Sequence, residues 1–139
     1  MPVETHRINV KTHGDSQVLD LTPQLVEVLG GAGITDGIAT LFVVGSTAGI
    51  TTFEYEPGLI RDLKEFYEKA APANRHYHHD DTWGDANGFS HVRAAFTGPS
   101  LTIPFEKGKV LLGTWQQVVL AEFDNRARDR QIVVHILGE

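Results

Sequence analysis

Apolar and polar positions alternate with a period of two along most of this chain and shift to a period near 3.6 in two or three stretches. Residues 3 to 12 predict an opening strand with Ile8 and Val10 on one face. His13-Gly14-Asp15 then makes a turn, and Gln17 to Leu21 returns as a strand. Thr22-Pro23 reads as a threonine N-cap with proline at the first helical position. Leu25, Val28 and Leu29 give that short helix its apolar stripe before Gly30, Gly31 and Gly33 stop it. Ile38 to Val44 is a nearly unbroken apolar run, the pattern of a strand buried on both faces. Ile50 to Tyr55 is a further strand. Pro57 opens a helix to about Ala70, with Leu59, Leu63, Phe66 and Ala70 on a face expected to be core. Asn87 to Phe96 has the spacing of a short helix, stopped by Gly98-Pro99. Strands fill the remainder: Leu101 to Phe105, a hairpin turn at Glu106-Lys107-Gly108, Val110 to Leu112, Gly113 through Phe123, a charged turn over Asp124 to Arg130, and Gln131 to Leu137. Strands, helix, strands, helix, strands give an α+β fold.

The size, 139 residues with 41% hydrophobic content, suits a single domain with a real core. A net charge of −6 argues against non-specific nucleic-acid binding, which needs a basic surface. With no cysteine there is no thiolate nucleophile and no cysteine-based zinc site, so any metal would rest on His, Asp or Glu. The opening residues lack the pattern of a signal peptide, and no apolar run is long enough for a membrane span. A soluble cytoplasmic domain is the expectation.

Composition alters the picture most between Tyr77 and His91. Three of the seven histidines, three aspartates, an asparagine and a tryptophan fall within this stretch. Its first half has no apolar period, so it reads as a loop. Imidazole and carboxylate are ligands for divalent metals and also acid–base groups. Asn87 and His91, four residues apart, would share a helix face turned back toward the loop. His78 and His79 would point opposite ways in extended backbone, so one of them is expected at the site. Gly45-Ser46-Thr47-Ala48-Gly49 follows a buried strand, as anion-binding loops do. It lacks the P-loop lysine, however, and a plain β-turn explains its spacing better. His135, inside the closing apolar strand, is expected as a hydrogen-bonded core or interface histidine.

Several strings in order carry a family resemblance: Gly45-Ser-Thr-Ala-Gly-Ile, Glu54, Tyr77-His-His-Asp80, Asn87 with His91, Gly98-Pro-Ser-Leu-Thr-Ile-Pro104, Leu112-Gly-Thr-Trp-Gln116 and Gly138-Glu139. Together they resemble the YjbQ-like family, also called secondary thiamine-phosphate synthases. The resemblance implies an α+β sheet sandwich, a homotrimer, and a reaction joining hydroxymethylpyrimidine diphosphate to thiazole phosphate with release of pyrophosphate. It also implies a divalent metal, zinc or magnesium, on histidine. Two family histidines map to His79 and His91. Gly45 stands where the third would be, leaving His78, or else Asp80, Asp85 or water, to complete the sphere. Glu54 and Asp80 are then the candidate catalytic carboxylates. Ser46, Thr47, Asn87, Trp115, Gln116 and Arg130 are the candidates for substrate or anion contact, and Trp83 is an alternative stacking platform. Metal-assisted hydrolysis and a non-catalytic trimer binding metal or anion at subunit interfaces are the two competing expectations.

Overall fold

A computed structural model describes all 139 residues. Strands β1 (Val3–Thr12), β2 (Gln17–Asp20), β3 (Gly37–Val43), β4 (Ala48–Phe53), β5 (Ser100–Glu106), β6 (Lys109–Val110), β7 (Gln117–Glu122) and β8 (Arg128–Gly138) form two antiparallel sheets. The larger has the order β1-β8-β3-β5-β6 and the smaller β2-β7-β4. Helices α1 (Thr22–Gly31), α2 (Pro57–Ala70), α3 (His78–Trp83) and α4 (Gly88–Thr97) complete the α+β fold. No helix is long and apolar enough to cross a membrane.

The core follows from period-two alternation. Ala39, Leu41 and Val43 of β3, with Ile132, Val134 and Ile136 of β8, meet Val118 and Leu120 of β7 and Ile50 of β4. Leu25 and Leu29 of α1 join the same cluster. Two polar residues extend these inward rows by one step each. Glu122 follows Val118 and Leu120, and Arg130 precedes Ile132, so both lie inside the sandwich at one end. They become the floor of the site.

Several local expectations need correction. Leu21, not Thr22, is the N-cap of α1. The Thr22 hydroxyl instead accepts from the Val118 amide at 2.9 Å, tying the helix to β7. β3 is buried on one face only, because Ile38 and Phe42 on its outward side are apolar yet exposed. α2 contains no buried residue: Phe66 is 61% exposed, and Tyr67 makes the main aromatic contact, edge-on to Phe123 at 4.6 Å. The Glu56 side chain caps α2, accepting from the Gly58 and Leu59 amides. β7 begins at Gln117 rather than Gly113, and β8 takes in Arg128 to Arg130 from the expected turn. His135 is exposed on the outer sheet face between Thr5 and Thr40, not in the core.

Candidate functional site: a polar cleft with an imidazole pair

The histidine-rich stretch is partly helical. Asp80 accepts from the Tyr77 amide at 3.0 Å while the Tyr77 backbone starts α3, and its other carboxyl oxygen accepts from the Gly88 amide at 3.0 Å. These bonds hold the Asp80 carboxyl below the usual carboxylate range, with the Tyr77 amide the largest cause. Asp80 therefore fixes α3 against the start of α4 and does not line the cleft; the general-base role expected of it is not supported. Gly84, at φ 73°, ends α3 and turns the chain back toward α4.

This α3–α4 turn brings His79 and His91 together, with ring centroids 4.2 Å apart and planes tilted by 48°. Burial, and next the neighbouring His79, hold the His91 imidazole below its ordinary value of 6.5, while Asp124 and Asp85 pull the other way. Burial and His79 both favour the neutral form of the His91 ring. His79 Nε2 is buried without a hydrogen-bond partner; Asp85 Oδ1, at 3.9 Å, is beyond hydrogen-bond reach.

Around this pair lies a cleft of about 480 Å³ that opens between the 44–47 loop, the end of α3, the start of α4 and the start of β8. Ser46, Thr47, Asn87 and Arg130, all expected as contact residues, line it with both imidazoles, and Trp83, 74% exposed, flanks its open side. Asn87 donates to Asp124 Oδ1 at 3.4 Å, which leaves its buried Oδ1 as an acceptor without a partner. Asp85, Arg128 and Asp129 also reach the cleft, so the charges at its rim are mixed.

The floor is a buried ionic chain. Arg130 Nε donates to Glu122 Oε1 at 2.7 Å, and its Nη2 donates to Glu122 Oε2 at 2.5 Å and to the Thr47 hydroxyl at 2.7 Å. The Thr47 hydroxyl in turn donates a hydrogen bond to Asp124 Oδ2 at 3.0 Å, and Arg128 Nε donates to the same oxygen at 2.7 Å. Burial pushes the Asp124 carboxyl up, but donors from Asn125, Arg128, Thr47 and Asn87 outweigh it, and the group stays below the usual carboxylate range. Thr12 closes the far end on Glu122 at 2.6 Å. Arg130 Nη1 alone among its nitrogens bonds to no protein atom. Likewise, the amides of Gly45, Ser46 and Thr47 donate to no protein acceptor. Free donors and free acceptors therefore share one concave surface.

Glu122, Asp124 and Arg128 are the site residues that sequence reasoning missed. The available signal was one carboxylate, Glu122, interrupting the apolar run from Val118 to Phe123 at an inward position. Other expected members stand elsewhere. Glu54 is exposed just past the far end of β4, about 20 Å along the strand from the 45–47 loop at the usual rise per residue. Trp115 is exposed near it, and Gln116 is occupied by the Gly113 amide and the Thr52 hydroxyl. His78 is exposed on α3 and absent from the cleft. No three His, Cys, Asp or Glu side chains are grouped to hold an ion, so the expected set of His78, His79 and His91 is not assembled and the donors present do not fit a metal.

The chain is similar to proteins whose activity is unassigned. A UPF0047 protein of Methanocaldococcus jannaschii is 34% identical over 134 residues, covering 96% of this chain and 94% of that protein. A hypothetical protein of Aeropyrum pernix superposes with a TM-score of 0.90 at 33% identity, covering 98% of this chain and 99% of that one. A protein of unknown function from Sulfolobus solfataricus, described as YbjQ-like, gives 0.88 at 30% identity, over 99% and 100% of the two chains. The descriptions of these relatives name no synthase, and the metal set is not formed; the thiamine-phosphate synthase assignment expected from the resemblance is therefore withdrawn, and metal-assisted hydrolysis with it. The description "UPF0047 protein YjbQ-like" matches residues 6–139, and the chain belongs to that family.

Proposed function

We propose that the cleft is a small-molecule site for a ligand bearing an oxyanion, and that His91 and His79 move a proton at the group beside that anion. The observation that carries this reading is the convergence of Arg130 Nη1 with the neutral His91 ring on one polar cleft. A guanidinium on a low-dielectric floor stabilises an oxyanion by a charge-assisted hydrogen bond. A neutral imidazole is suited to accept a proton near pH 7, and the adjacent His79 ring discourages His91 from holding one permanently. The partnerless Asn87 Oδ1 adds an acceptor for a hydroxyl or amine on the same ligand. Titration of ¹⁵N-labelled protein with inorganic phosphate tests this: saturable shifts are expected at the Ser46 and Thr47 amides and at the His91 ring. Shifts absent there, or spread over surface lysines, would overturn it.

We also propose self-association through the outer face of the large sheet, with the trimer as the stoichiometry the family resemblance implies. The supporting observation is an exposed apolar row in register, Val3, Leu137 and Ile38, continuing to Pro104, with exposed Phe42 further along β3 on the same face, past the polar row of His135 and Thr40. Light scattering tests it. Phe42→Asp should yield a smaller species, and an unchanged mass would reject this face.

A further inference from the structure

Beside the polar cleft lies a second hollow of about 380 Å³, lined by Ala48, Ala94, Ala95 and Pro99 together with Gly45, Ser46 and His91. The last three residues line both hollows. The new hollow contributes methyl groups and a proline ring where the first contributes charge. Small side chains leave a shallow slot with apolar walls, suited to a flat apolar body.

Gly45 is the residue that keeps the two continuous. Its φ of 149° is unfavourable for any side chain, and a Cβ built there would come within 2.7 Å of Arg130 Nη1. A side chain at 45 would cover Arg130 Nη1 and stand between the two hollows. In this chain glycine, with no side chain, stands where head and body of a ligand would pass.

We infer that the two hollows form one bipartite site, whose ligand places an oxyanion on Arg130 and the 45–47 loop and a planar apolar body against Ala48, Ala94, Ala95 and Pro99. This rests on the polar cleft being an oxyanion site and adds the class of molecule attached to the anion. Phosphate and carboxylate heads share the chemistry Arg130 recognises, and the two are separated by experiment.

The full chain, ¹⁵N-labelled, is titrated with inorganic phosphate, phenyl phosphate, acetate and benzoate, with shifts followed at Ser46 and Ala95. Phenyl phosphate is expected to bind at least tenfold more tightly than phosphate and to shift both amides. A tenfold gain of benzoate over acetate supports the same inference with a carboxylate head. Ala95 is exposed, so Ala95→Leu should fold normally; it is expected to reduce the gain of the ring over the bare anion below threefold. Equal affinities with and without the ring, or a gain that Ala95→Leu leaves intact, would overturn the bipartite site while the oxyanion reading stands. If none of the four anions shifts Ser46, both fail together.

Discussion

Replacing Glu122 by leucine removes the carboxylate that holds two nitrogens of Arg130 inside the sandwich. The guanidinium is 6% exposed, and Thr47 is its only other partner. Asp124 cannot take over readily, because its carboxyl oxygens already receive Thr47, Arg128, Asn125 and Asn87. Stranding a buried charge in this way costs about 3–5 kcal/mol. For a chain of 139 residues, the usual unfolding entropy per residue converts that to a fall in Tm of roughly 10–17 °C. Urea unfolding followed by circular dichroism is the assay, read as a lower midpoint at unchanged slope. The double variant Glu122→Leu/Arg130→Met should regain most of the loss, since apolar side chains of similar volume commonly replace a buried pair without penalty. Phosphate should then no longer shift Ser46, separating the pair's part in binding from its part in stability. A single variant losing less than about 1 kcal/mol, or a double variant no better than the single, would refute the reasoning.

His91 in the folded chain should titrate below 6.5, since burial and His79 both disfavour its charged form. The unfolded chain then takes up the proton first, so this group's contribution to stability is complete above 6.5. It is lost as pH falls from there through the folded-state value. His91→Gln should flatten the stability profile in that window, whereas Asp124 acts only in more acid solution, below 3.8; a His91 Hε1 midpoint at or above 6.5 contradicts this. Gly45→Ala should destabilise by more than about 1 kcal/mol, because alanine must adopt an unfavourable φ beside Arg130, and an unaltered melting curve would count against that. Asp80→Ala should speed hydrogen exchange at the Tyr77 and Gly88 amides, and unchanged exchange would show that these bonds do not hold α3 in place. Glu54→Gln should leave phosphate-induced shifts at Ser46 intact; their loss would return Glu54 to the site.

The strands were legible because inward and outward positions alternate, as Ala39, Leu41 and Val43 do against Ile38 and Phe42. The same run suggested burial on both faces because hydropathy does not distinguish a core from an exposed apolar surface. The pairing of His79 with His91 was anticipated as two segments converging. The turn that achieves it was not, because α3 lacks an apolar stripe and depends on Asp80 bonding two backbone amides. The ionic floor was hidden for a different reason. Glu122 and Arg130 are adjacent in space through β7 and β8, strands of different sheets, and no local period reports a contact across a sandwich. Glu54, Trp115 and Gln116 came from the resemblance alone. The fold gathers them at the far end of β4, where Phe53 pairs with Gln117.

The central claim is that Arg130 Nη1 and the 45–47 loop receive an oxyanion beside a neutral His91. A crystal of the full chain soaked with phenyl phosphate tests it most directly. The predicted result is a phosphate group within hydrogen-bond distance of Arg130 Nη1 and the Ser46 amide, with its ring lying toward Ala95. Well-ordered ligand bound elsewhere, with this cleft containing only solvent, would contradict it.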